Sequence, residues 1–236
     1  MTNTDEAADI KARMLDAAAM HVPFDGWSDT TFKAAMQDAD VAPGLARAAF
    51  PRGAVDLALA FHDAGDKAMV ARLEETDQSS LRYSERVTLA VRTRLEVIED
   101  KEMVRRGMTL FALPQYAGDG AQALWRTADL IWATLGDTSR DVNWYTKRAT
   151  LSGVYGATVL YWLGDESEGH LNTWAFLDRR IEDVMRIEKL KAQARDNRVL
   201  GGLMKGQEAA MNAILDRLVP QGARPNDMPG RWSGPV

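Results

Sequence analysis

From Ala149 to Leu163 the chain runs for about 15 residues without a charged side chain, and that run constrains the fold more than any other stretch. A membrane-crossing helix needs about 20 mainly apolar residues, and this shorter segment also carries Thr150, Ser152, Gly153, Gly156 and Thr158. It reads as a helix buried inside a protein. A helix that is apolar almost all round has to be covered by other elements. Everything else in the sequence suggests that those elements are helices, because no stretch alternates apolar and polar residues with a period of two.

The covering helices follow from periodicity and punctuation. Asp5 to Met20 is rich in Ala, Leu and Met, and His21-Val22-Pro23 ends it. Gly26-Trp27-Ser28 is a turn, with Ser28 or Asp29 placed to cap a short helix through about Asp38. Val41-Ala42-Pro43-Gly44 turns again, and Leu45 to Ala49 is a short helix stopped by Phe50-Pro51-Arg52-Gly53. A long helix is predicted from Ala54 to about Glu74. After the polar break at 76–80 another long helix carries Tyr83, Val87, Val91, Leu95 and Ile98 on one stripe, with Arg82, Arg86, Arg92 and Glu96 on a solvated face. Leu113 to Gly120 is the clearest loop. Helices are then predicted over about 121–135, 142–163, 170–195 and 199–219.

The composition bears on function chiefly by exclusion. With 29 basic and 34 acidic residues the formal net charge is -5, so the whole-molecule field does not attract nucleic acid. There is no cysteine, which excludes disulfides, thiolate metal sites and cysteine nucleophiles. His21, His62 and His170 lack metal-ligand spacing, and Glu166 with His170 reads as a surface pair. No phosphate loop, dinucleotide fingerprint or nucleophile elbow is present. No metal or cofactor is expected, and no catalytic residues, so the chain reads as a non-enzyme. The opening residues are polar and acidic and do not read as a secretory signal.

Three short helices within the first 54 residues have the layout of a helix-turn-helix DNA reader. Leu15, Ala17 and Ala18 on the first helix, Gly26 at the turn and Val41 through Phe50 at the recognition position resemble the N-terminal module of TetR regulators. The presumed recognition stretch, Leu45-Ala46-Arg47-Ala48-Ala49-Phe50, departs from that pattern by its poverty in polar and basic groups. Lys33, Arg47 and Arg52 are balanced by Asp29, Asp38 and Asp40, whereas a reader that contacts several phosphates presents clustered cations. The module reads as a packing unit that does not bind nucleic acid.

The most informative block is DVNWYTKRATLSGVY at 141–155, followed by Thr173-Trp174-Ala175-Phe176-Leu177 and Arg180 to Met185. Together these resemble the COQ9 family, most strongly over about 140–186 and weakly over most of the chain. The resemblance implies an all-α, TetR-like helical bundle with a degenerate helix-turn-helix, usually homodimeric, that has exchanged DNA binding for lipid binding. It also implies that an isoprenoid quinone or a phospholipid is bound, and that quinone precursors are presented to a late-acting di-iron hydroxylase of ubiquinone biosynthesis. The tryptophan matching Trp144 belongs to the partner surface of the family, expected here at Asp141, Asn143, Trp144 and Tyr145. The arginine matching Arg148 lies at the lipid pocket.

On a helix, Trp144, Arg148, Leu151, Tyr155, Thr158 and Trp162 fall on one stripe. Arg148, Leu151, Tyr155 and Trp162 are therefore the expected lipid-binding residues, with Gly153, Gly156 and Ala157 leaving room for a chain beside them. The residues leave a second reading open for Arg148, as the partner of Asp183 or Glu182, and for Trp144, as a core residue instead of an exposed anchor. Trp174, Phe176 and Leu177 read as core. Near the C-terminus Leu200, Leu203, Met204, Met211, Ile214, Leu215 and Leu218 make one apolar face behind Lys189, Lys191, Arg195 and Arg198. Such a helix suits an anionic membrane surface, and Leu200, Leu203, Met204 and Met211 are the expected membrane-facing residues.

The organisation expected is a vestigial helix-turn-helix unit with a linking helix over 1–75, a lipid-binding body over 76–218 and a disordered tail over 219–236. The protein is expected in the cytoplasm, peripheral to the inner face of the membrane. The competing expectation is a TetR-type ligand-responsive transcriptional regulator.

Overall fold

The computed structural model describes residues 3–139 and 142–196, and among these every regular element is helical. The order is α1 (Asn3–Ala19), α2 (Val22–Asp25), α3 (Asp29–Asp38), α4 (Pro43–Ala49), α5 (Ala54–Glu75), α6 (Tyr83–Glu96), α7 (Lys101–Phe111), α8 (Ala117–Thr134), α9 (Val142–Leu163), a short 3-10 turn and α10 (Leu171–Asp196). The uncharged run 149–163 is the body of α9. No described helix is long and apolar enough to cross a membrane.

Two units divide the chain. One comprises residues up to 69 together with 96–123, and the other 70–95 together with the residues from 124 onward. The sequence boundary at 75/76 assigns 96–123 to the lipid-binding body, whereas in the structure that segment belongs with the N-terminal helices. Part of the reason is Trp27, whose buried indole N–H donates to the Met103 carbonyl at 3.1 Å. Gly107 on α7 lies close enough that a Cβ there would sit 3.6 Å from the Trp27 Nε1. An apolar cluster of Met14, Val22, Phe32, Phe50, Leu57 and Met103 completes this core.

Local signals set the helix ends in the first unit. Ser28 accepts a hydrogen bond from the Thr31 amide at 3.2 Å, and the Thr31 hydroxyl donates to the Gly26 carbonyl at 2.6 Å. That is the N-cap expected for α3. The helix predicted to carry Tyr83 through Ile98 ends at Glu96, and the Asp100 carboxylate accepts from the Glu102 amide at 2.7 Å and caps a further helix, α7. The loop predicted over 113–120 is also shorter than expected. Its glycines lie in the first turn of α8, and a Cβ at Gly120 would approach the Phe111 Cβ to 2.8 Å. Glycine at 120 therefore permits a close helix approach, where the sequence suggested a flexible turn.

The two α8 glycines should respond oppositely to alanine. Gly118 has open space where a Cβ would go, so Gly118→Ala is expected to stabilise the protein by about 0.5–1 kcal/mol through better helix propensity. Gly120→Ala is expected to destabilise it by about 1–3 kcal/mol through overpacking against Phe111. Urea denaturation followed by circular dichroism reads both changes.

Candidate functional site

The site lies within the second unit, where α9 is the central element. Trp144, Arg148, Leu151, Tyr155, Thr158 and Trp162, the stripe read from the sequence, are all buried. Polar side chains on this helix are accommodated by turning them back onto its own backbone. The Thr146, Ser152 and Thr158 hydroxyls donate to the carbonyls of Val142, Arg148 and Val154 at 3.0, 2.8 and 2.7 Å. A buried hydroxyl satisfied in this way avoids the cost of an unmade hydrogen bond.

Arg148 has no solvent exposure at all. Its Nε donates to Asp129 Oδ1 at 2.6 Å, and its Nη1 donates to Asp137 Oδ2 at 2.9 Å and to the Trp144 carbonyl at 3.2 Å. The guanidinium carbon also lies 4.1 Å from the centroid of the Trp144 ring, a cation–π contact. Asp137 has a second cation, since Lys147 Nζ donates to its Oδ1 at 2.7 Å and to the Ser139 hydroxyl at 2.8 Å. Burial of Asp137 pushes its pKa up, but the hydrogen bonds from Lys147, Arg148 and Ser139 outweigh that and hold it at about 2. The result is a four-membered buried ion network joining α8, the α8–α9 loop and α9.

Beside this network is a cavity of about 190 Å³. Val87 on α6, Leu151 and Val154 on α9, and Ile181, Val184 and Met185 on α10 give it an apolar wall. Tyr83, Trp132, Asn143, Thr146 and Lys147 line it as well. The Tyr83 and Trp132 rings lie 5.9 Å apart, with Lys147 Nζ 5.5 Å from the Trp132 centroid. Met185 both lines the cavity and is 48% exposed, so the apolar wall continues to the surface.

These positions revise several residue assignments. Of the four expected lipid contacts only Leu151 lines the cavity, while Tyr155 and Trp162 are buried elsewhere in the helix packing. Arg148 is withdrawn from the cavity because two carboxylates and a carbonyl claim it, and they are Asp129 and Asp137, not Asp183 or Glu182. Asp183 is paired with Arg180 instead. Trp144 is fully buried and not an exposed anchor. It packs under Arg148 and edge-on to Tyr145, with centroids 4.7 Å apart. Asn143 is exposed and Tyr145 half-buried. Trp174 and Leu177 are buried as read from the sequence. Asp141, Leu200, Leu203, Met204 and Met211 lie outside the described residues, as does the tail. Among the described residues no group of histidines and carboxylates is arranged to hold a metal ion.

Sequence reasoning missed Asp129, Asp137, Lys147 and Trp132. Lys147 stood inside the quoted motif, one residue before Arg148. The two aspartates carried no local signal, because their role depends on how α8 packs against α9.

Two outcomes follow from the ion network. Arg148→Ala removes the buried cation shared by Asp129 and Asp137 and is expected to cost about 3–5 kcal/mol of stability, measurable as a lowered urea midpoint. The Asp137 carboxylate has a folded-state pKa below its ordinary value of 3.8. Its contribution is therefore complete above about pH 4 and lost as the pH falls toward about 2. Asp137→Asn should be less stable than the parent at pH 7 and should lose less of its stability between pH 4 and pH 2. Thermal melts across that range check both statements.

The family model that matches the chain is COQ9, over residues 117–188, which contain the whole ion network and three quarters of the cavity's helices, α8, α9 and α10. Relatives include the Drosophila melanogaster protein named ubiquinone biosynthesis protein COQ9, mitochondrial, 31% identical over 78% of this chain and 58% of its own. The Rattus norvegicus protein of the same name is 33% identical over 75% of this chain and 59% of its own. The chain thus spans about three fifths of the length of these relatives. In three dimensions it is similar to a TetR transcriptional regulator from Nitrosomonas europaea, with a TM-score of 0.60 at 20% identity, covering 73% of this chain and 95% of the other. That likeness shows a TetR-like fold and nothing about DNA. Through residues 117–188, the segment that holds the Arg148 network, the chain matches the COQ9 family.

Proposed function

We propose that this protein binds an apolar lipid, an isoprenoid quinone or a phospholipid, and supports ubiquinone biosynthesis without itself making or breaking a bond. The observation that carries this reading is the cavity walled by Val87, Leu151, Val154, Ile181, Val184 and Met185, most of it built from the family-matching segment. Mostly apolar walls with a few convergent polar groups are the ordinary form of a small-molecule site. The names of the relatives supply the pathway. Presentation of the lipid to a di-iron hydroxylase, as a homodimer peripheral to a membrane, completes the reading. Asn143 and Tyr145 are the partner-facing residues, with Trp144 supporting them from beneath.

The regulator alternative has the fold in its favour, but the cation of its reading helix, Arg47, and the one in the turn after it, Arg52, are engaged within the protein. Arg52 is held by Asp119 at 2.9 Å and Asp56 at 2.8 Å, and the Arg47 guanidinium lies 5.0 Å from the centroid of the Phe32 ring. Neither is presented as an unencumbered phosphate contact.

The test is mass spectrometry of lipids extracted from protein purified out of a ubiquinone-producing host. Near-stoichiometric polyprenyl quinone or phospholipid is expected with the parent chain. Thr150 also lines the cavity and is half-buried, so Thr150→Trp should fill the cavity and remove most of that lipid while leaving the helical circular dichroism intact. Lipid content unchanged by Thr150→Trp would sink the assignment of this cavity.

A further inference from the structure

The cavity has a distinct polar end, and the chemistry of that end selects what enters. The Lys147 ammonium has three protons to donate. Asp137 Oδ1 takes one at 2.7 Å and the Ser139 hydroxyl a second at 2.8 Å, leaving one on a side chain that lines the cavity. Trp132 lines the same cavity, and its Nε1–H is shielded from solvent without a hydrogen-bond partner in the protein. A buried donor left unmade costs about 1–3 kcal/mol, so a bound acceptor would remove a standing penalty.

Charge decides which acceptor. Lys147 and Arg148 are matched by Asp129 and Asp137, so the network at this end sums to zero. A phosphate entering it would add uncompensated negative charge in apolar surroundings, which is unfavourable. A neutral carbonyl or phenol oxygen takes the two donors without disturbing the balance. Size points the same way. The volume of about 190 Å³ exceeds the roughly 150 Å³ of an apolar cavity that admits benzene. It suffices for one substituted six-membered ring and not for a long chain.

Resting on the lipid-binding reading above, we propose that the cavity holds the oxygen-bearing ring of a neutral quinone or phenol. Lys147 and the Trp132 indole N–H donate to its oxygen, and the alkyl tail leaves past Met185. The polar anchor is thus Lys147, not its neighbour Arg148, whose role is to fix Asp137 in place.

Isothermal titration of the full chain in detergent tests this with three probes: a decyl-substituted dimethoxybenzoquinone, decylbenzene, and a short-chain phosphatidylglycerol. The quinone is expected to bind at least tenfold more tightly than either of the others. Lys147→Met and Trp132→Phe should each reduce the ratio of quinone to decylbenzene affinity by about tenfold or more, consistent with loss of one hydrogen bond to a charged or buried donor. Trp132→Phe keeps the ring and so controls for folding should Lys147→Met unfold. Equal binding of quinone and decylbenzene, with a ratio that neither variant moves, overturns the polar end while leaving the cavity reading intact. Tightest binding of phosphatidylglycerol, lost in Lys147→Met, overturns the preference for a neutral ring. Failure of all three probes to bind overturns both this proposal and the cavity reading beneath it.

Discussion

A guanidinium with no access to water has to bring its counter-charges with it, and much of the second unit is arranged around that requirement. Arg148 draws Asp129 from α8 and Asp137 from the following loop onto α9, at 2.6 and 2.9 Å. Because the two carboxylates come from separate stretches, the ion network fixes the path of the α8–α9 connection as well as the packing of the two helices. Lys147 then joins at the edge, where it is still 36% exposed. A buried charge cluster of this kind is weak evidence of net stability, since desolvation offsets most of the attraction. It restricts the helices to one register, because any other arrangement leaves a charge unmatched.

That restriction gives the cavity its form. With α8 and α9 held together, Trp132 and Lys147 converge at one end, while Leu151 and Val154, one and two turns further along α9, face the apolar residues of α10. The small and hydroxylated residues on α9 serve the same design. Thr146, Ser152 and Thr158 satisfy themselves against their own helix and so can occupy an apolar setting without partners elsewhere.

Most of the fold was legible in the sequence, because helix boundaries are written in local chemistry. Ser28 marked its helix start, and the stripe from Trp144 to Trp162 is buried throughout as its spacing implied; Pro43, read as part of a turn, in fact opens α4. The misreadings were places where local chemistry was weighed wrongly or was insufficient. Asp100 reads as a solvated residue near a helix end yet caps α7, and the glycines near 120 suggested a loop although Gly120 serves a close approach to Phe111. The site was less legible than the fold. The motif at 141–155 lies on the helix that lines the cavity, and of its expected lipid contacts Leu151 lines the cavity whereas Arg148 and Tyr155 do not. Trp144 is core and Arg148 structural, while Leu151 and Lys147 face the cavity. Which side of a helix meets a cavity and which meets a carboxylate depends on neighbours up to 19 positions away, and spacing within one helix cannot supply that.

The network also limits how this sequence can drift. Asp129 and Asp137 stand 19 and 11 positions before Arg148, and the exchange of any one of the three for a neutral residue leaves the network with an unbalanced charge. An evolutionary path that abandons the cluster must therefore change several positions in concert or pass through a weakened intermediate. The two aspartates and the arginine thus form one unit of the sequence, spread from Asp129 to Arg148 and constrained to change together.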